Sequence, residues 1–175
     1  MIRAIAAMMA VQAATVVLPE RLEAPTPPGF VTGYDAHNTQ IAITERIPRG
    51  ETVEQWSRMI TVQRFTGIAR VGGHGFLDRL ANGVKRSCQG ASTTPIVDSV
   101  ADGRAVASMR ADCPLNSATG KAEVFFVKVF TGAADIHSVQ YAFRSVPTAK
   151  DAAVAEAYLD SIALCPGSAK ACAAS

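Results

Sequence analysis

The stretch PIVDSVADGRAVASMRADC, residues 95–113, decides the fold. Its centre is Asp102-Gly103, a pair that tolerates the positive φ angles a tight hairpin turn needs. The flanks therefore read as two antiparallel strands, 95–101 and 104–113. Along the second, Ala105, Ala107, Met109, Ala111 and Cys113 fall at every other position, while Arg104, Ser108, Arg110 and Asp112 lie between them. That alternation gives one apolar face and one polar face, and it points Cys113 at the core.

The pattern repeats downstream. KAEVFFVKVF (121–130) and IHSVQYAFRS (136–145) form a second hairpin across a short turn. The first of these strands is apolar on both sides: Phe125, Val127 and Val129 share one face, and Val124, Phe126 and Phe130 the other. A strand of that kind belongs at the centre of a sheet covered on both faces. In the next strand Val139, Tyr141 and Phe143 lie opposite Ser138, Gln140 and Arg144.

Upstream, residues 76–88 space Leu77, Leu80, Ala81, Val84 and Cys88 three and four apart, which predicts an amphipathic helix. Four cysteines permit three pairings. A core-facing helix cysteine and a core-facing strand cysteine favour Cys88–Cys113, leaving Cys165–Cys172 as a local clasp on the tail. The first bridge closes a loop of about 25 residues, for which chain entropy gives roughly 3–4 kcal/mol.

Residues 30–34 and 40–47 read as strands, the latter from its alternating Ile41 and Ile43. Thr52-Val53-Glu54-Gln55 has the form of a capping box and predicts a helix over 52–65, with Val53, Trp56, Met59, Ile60 and Gln63 near one side and Trp56 in the core. Residues 70–75 (RVGGHG) read as a flexible connection. Pro147-Thr148 opens a last helix to about 164, carrying Val154, Tyr158 and Ile162. The order is ββααββββα, a single α+β domain with helices packed on an antiparallel sheet.

The N-terminus reads as an export signal. Arg3 precedes the apolar run AIAAMMAV, and Val11-Gln12-Ala13 fits a small-residue cleavage site. The apolar run is far shorter than the ~20 residues needed to span a bilayer. The expected organisation is a signal peptide over 1–13, an extended, mobile Pro-rich lead-in over 14–28, the α+β domain over 29–165 and a tail over 166–175. Signal and even cysteine count together place the mature chain in the periplasm or outside the cell, with no transmembrane segment. The 17 basic and 15 acidic residues form no basic stripe, so nucleic acid is not an expected partner.

Chemistry is sparse. The chain carries neither a G-x-S-x-G elbow nor H-E-x-x-H, and its cysteines lack zinc-site spacing. No catalytic residue, metal or cofactor is therefore expected. His37, His74 and His137 are scattered. His74 sits in Gly72-Gly73-His74-Gly75, whose amides resemble an anion cradle. Gln140 and Arg144, with Lys128 on the adjoining strand, form a candidate polar patch in which Arg144 would suit a carboxylate or phosphate. Glu45, Arg46, Arg49, Glu51 and Glu54 crowd one junction. The candidate ligand-binding residues are thus Arg144, Gln140 and His74. The reading is a non-enzymatic accessory module that binds a protein or a small molecule. The alternatives are a hydrolase or isomerase using Glu45, Glu51 or His74 in a cleft, and a structural envelope protein.

Two segments carry a resemblance: ETVEQWSRMITVQ (51–63), and VQYAFRS (139–145) ahead of a helix ending at Cys165. They resemble a family of small secreted proteobacterial proteins of unknown function, over most of residues 29–165. The element order is also similar to the PsbP-like α/β/α sandwich, whose members mostly serve binding and accessory roles. The resemblance implies a fold and a style of function, and it transfers no catalytic residue.

Overall fold

A computed structural model describes residues 20–167. The strands are β1 (Arg21–Glu23), β2 (Phe30–His37), β3 (Ile41–Pro48), β4 (Arg58–Phe65), β5 (Ser92–Thr93), β6 (Val97–Ala101), β7 (Arg104–Asn116), β8 (Lys121–Thr131), β9 (Ile136–Phe143) and β10 (Ala163–Cys165). Helix α1 (Gly72–Ser87) lies between β4 and β5, and α2 (Ala149–Asp160) between β9 and β10. The main sheet is antiparallel, in the order β2-β3-β4-β9-β8-β7, with β5 and β6 both pairing along the outer edge of β7. The protein is an α+β domain with one helix on each face of this sheet.

Strand β8 is central because its side chains are apolar both ways. Val124, Phe126 and Phe130 join Ala155 and Leu159 of α2 in one core. Phe125, Val127 and Val129 join Leu77 and Ala81 of α1 in the other. The two layers are called here the α2 face and the α1 face. Asp102 and Gly103 have φ of 50° and 74° and turn β6 into β7, as a tight hairpin requires.

On the α1 face, Cys88 and Cys113 are joined in a disulfide with Cα atoms 5.7 Å apart. The partner proposed for Cys165, Cys172, lies outside the described residues, as does the signal segment over 1–13.

Four expectations need correction. The first concerns 52–65, which is a loop followed by β4 and not a helix. The Thr52–Gln55 contacts exist, with Gln55 N–H donating to Thr52 Oγ1 at 3.2 Å and to Thr52 O at 3.1 Å, but they close a turn. The Glu51 carboxylate then accepts from Ser57 N–H at 2.6 Å and Ser57 O–H at 2.7 Å, swinging the chain into the strand. The β-branched run Ile60-Thr61-Val62 favours extended backbone. Strand β4 buries Met59 and Ile60 on opposite faces of the sheet, as strand alternation requires.

The second concerns the glycine run, which is the first turn of α1 and not a connector. A Cβ on Gly73 would stand 3.1 Å from the Ala107 Cβ and 3.4 Å from Val129 O, so glycine lets the helix start sit directly on the sheet. The Gly73 amide donates to Thr131 Oγ1 at 2.9 Å and is taken.

The third concerns the lead-in. Its residues 21–23 form β1 against β10, and Glu20 bonds Arg104 at 2.6 Å and the Ala133 amide at 2.7 Å. The fourth concerns the last helix, which stops at Asp160, so Ile162 packs from beyond its end. Its start is a complete capping box of Thr148 and Asp151.

Candidate functional site

The two helices cover their faces unequally. Helix α2 lies over β8 and β9, and the outer strands β6 and β7 extend beyond it. The uncovered ground forms a cleft of about 560 Å³ between α2 and the β6–β7 hairpin, within the size range of small-ligand pockets. Two smaller hollows, of about 240 and 220 Å³, lie beside His74 and His137.

Register builds the cleft floor in rows. Val97, Ser108 and Lys128 are cross-strand neighbours on β6, β7 and β8. The row on one side pairs Arg110 with Phe126, and that on the other pairs Val106 with Phe130. Paired residues share a face and stand close enough to interact, so a lysine emerges between two phenylalanines with a serine beside it.

Lys128 Nζ lies 5.3 Å from the Phe130 ring centroid and donates to Leu159 O at 3.0 Å. An ammonium has three donors, so two remain for the cleft. Burial pushes the Lys128 pKa down, with Asp160 and Asp102 opposing at longer range. Arg110 also stacks on a ring, 5.3 Å from the Phe126 centroid. Its charge is matched by Asp112, with Nε to Oδ2 at 2.9 Å and Nη2 to Oδ1 at 2.5 Å. The wall contributed by α2 includes Glu156 and Asp160. The cleft thus sets a cation and hydroxyls on its floor against acids on its wall, over an aromatic base.

The residues singled out from sequence do not meet here. Gln140 lies on the α1 face, between Thr61 and Val127 in the register. Lys128 is on the opposite face, because it pairs with Val139, and so it forms no patch with Gln140 or Arg144. Four residues along an extended chain separate Gln140 from Arg144, about 13 Å. The Arg144 guanidinium stacks 4.1 Å from the Trp56 ring, and its backbone N–H donates to Ser57 O at 3.0 Å. It closes the loop over Trp56, which is buried as expected. Burial raises the nearby Glu123 pKa, and Arg144 opposes that shift.

His74 Nδ1–H donates to Asp98 Oδ2 at 2.7 Å, and its Nε2 lies 3.8 Å from Asp78 Oδ2. The hydrogen bond and charge of Asp98, aided by Asp78, raise its pKa. The two carboxylates favour the protonated ring, which links α1 to β6. Glu45 stands across the sheet on β3, with four strands between it and β6; at a spacing of ~4.8 Å this is roughly 24 Å. Burial raises the Glu45 pKa. Glu51 is occupied by Ser57. The three groups do not converge. Arg46 is turned to the α2 face, where its Nη1 donates to Ala24 O at 2.6 Å and Pro25 O at 3.2 Å.

Sequence reasoning missed the cleft, although its polar strand face was visible in Ser108 and Arg110. Nothing in the chain says how far α2 reaches across the sheet.

The fold defines a class: an antiparallel sheet between helices, of the PsbP-like kind. The solution structure of cyanobacterial PsbP (CyanoP) from Synechocystis sp. PCC 6803 is similar to this chain with a TM-score of 0.55 at 10% identity, over 89% of this chain and 98% of that one. The Ran-binding protein Mog1p of Saccharomyces cerevisiae aligns with a TM-score of 0.45 at 10% identity, over 81% of this chain and 84% of that one. A mutant of protein Mog1 gives 0.46 at 12%, over 83% and 80%. No family model matches the chain, and no curated protein matches it by sequence.

Proposed function

We propose that the protein is a non-enzymatic binding module of an exported, oxidising compartment, and that it takes its ligand or partner in the cleft between α2 and the β6–β7 hairpin. The observation that carries the reading is the cleft itself. Convergent polar groups stand there over Phe126, and Lys128 keeps donors free in a half-buried position. Desolvated donors of that kind are well suited to recognition. The Cys88–Cys113 bridge supports the compartment, because disulfides persist where the medium is oxidising. Among the described residues no helix is long and apolar enough to cross a membrane.

The test uses a variant that fills the cleft, Ser108→Trp, beside wild-type protein. Both are used as bait in periplasmic extract and in a thermal-shift screen of small molecules. Wild type is expected to capture a partner or to be stabilised by a compound, and the variant to lose that response while keeping its fold by circular dichroism. Failure of wild type in both assays, or an equal response from the variant, would overturn the reading.

A further inference from the structure

Resting on the cleft as binding site, we infer that its ligand is a small zwitterion with an apolar side chain, of the amino-acid or short-peptide class. The floor and wall carry opposite chemistry. On the floor, Lys128 offers two unused N–H donors, and the Ser108 hydroxyl stands beside it in the register. Among the described residues neither that hydroxyl nor the one on Ser99 has a hydrogen-bond partner, and both serines line the cleft. A carboxylate seated there meets an ammonium and hydroxyls in a half-buried position, where charge-assisted hydrogen bonds are strongest.

Arg110 does not compete for that carboxylate. Its guanidinium is engaged with Asp112 and stacked on Phe126. Glu156 and Asp160 also line the cleft, one helical turn apart on α2, a spacing that places both on one side. They accept hydrogen bonds from a cationic amine and would repel a second carboxylate. The same lining includes apolar ground: Phe126, Leu159 and Val97, the last 59% exposed. An anion alone would satisfy the floor and face the acids unpaired. A cation alone would leave the two remaining Lys128 donors unused. A molecule bearing both charges and an apolar group matches every part.

The experiment is a titration of the 15N-labelled protein, followed by amide shifts of β6, β7 and β8. The probes are leucine, leucyl-leucine, N-acetyl-leucyl-leucine, leucyl-leucine amide and hexanoate. At least one of the two zwitterions is expected to bind in the cleft, and comparing them separates free amino acid from peptide. Blocking either end is expected to weaken binding about tenfold or more, the worth of one charge-assisted hydrogen bond. In Lys128→Met the penalty for amidation should vanish while the penalty for acetylation persists. In the double variant Glu156→Gln with Asp160→Asn the reverse should hold. Equal binding of blocked and free forms would overturn the inference, and so would shifts caused by hexanoate alone, although the latter leaves the cleft a binding site. Silence from all five probes also overturns it, and the capture experiment above then judges the binding module separately.

Discussion

The α1 face and the α2 face of one sheet are held by different means. On the α1 face a helix with an apolar stripe is fixed covalently, Cys88 to Cys113, and a glycine at its start lets it lie flush on β7. On the α2 face the fastening is polar. Arg46 grips the Ala24 and Pro25 carbonyls, Tyr158 O–H donates to Pro25 O at 3.0 Å, and Glu20 ties the lead-in to Arg104. The covalently fixed face is filled where its helix lies on β7 and β8. The polar face leaves the large cleft. The binding ground proposed above lies on the face fastened by these polar bonds.

Breaking the bridge is the sharpest test of this contrast. Replacing Cys88 and Cys113 with alanine removes the closure of a 25-residue separation and is expected to cost about 3.5 kcal/mol by the chain-entropy relation. Chemical denaturation measures the loss. Hydrogen exchange should rise in α1 and β7 while α2 keeps its protection. Equal loosening of both helices would mean that the two faces are not separate units. Non-reducing mass mapping should find these two cysteines linked.

Next in size is the polar strap. Arg46→Ala deletes charged hydrogen bonds to two carbonyls and is expected to cost about 2 kcal/mol, with exchange rising over residues 21–25 and 163–165. The α1 face should be unmoved. A smaller effect is due at the helix start: Thr148→Ala opens the capping box and should cost about 1 kcal/mol, seen as fraying of the first turn of α2.

The smallest effects come from two histidines of opposite sign. His74, exposed on the α1 side, has its pKa raised from 6.5 by the Asp98 hydrogen bond and charge. Its contribution is fully present below pH 6.5 and is lost as pH rises through the folded value. His137, buried on the α2 side, has its pKa lowered from 6.5 by desolvation, with Asp135 and Glu20 opposing and Arg64 assisting. Its contribution is present above pH 6.5 and is lost as pH falls through the folded value. Melting temperature against pH should therefore flatten on the alkaline side in His74→Gln and on the acid side in His137→Gln. Matching profiles would show that the two rings share one environment.

Legibility in the sequence followed the range of the forces involved. The β6–β7 turn, the two-faced β8 and the faces of Cys88 and Cys113 were all readable, because turn chemistry and side-chain periodicity are local. The region 52–65 misled because one segment carried two local signals. Its Thr52–Gln55 turn resembles a helix start, and only pairing of β4 with β3 and β9 settles the Ile60-Thr61-Val62 run as strand. The glycine run misled for a similar reason, since a glycine needed for contact with Ala107 looks the same in sequence as one left free. Lys128 could be placed on a strand but not beside the right neighbours.

By itself, then, the sequence determined the class of fold, the central strand and the bridge, each through alternation, stripe or turn residues within one element. The tertiary structure alone decided where the lead-in docks, how far α2 reaches and hence where the cleft opens. Those outcomes depend on the register of strands distant in the chain and on the length of helix left to cover them, and neither is encoded in any single local pattern.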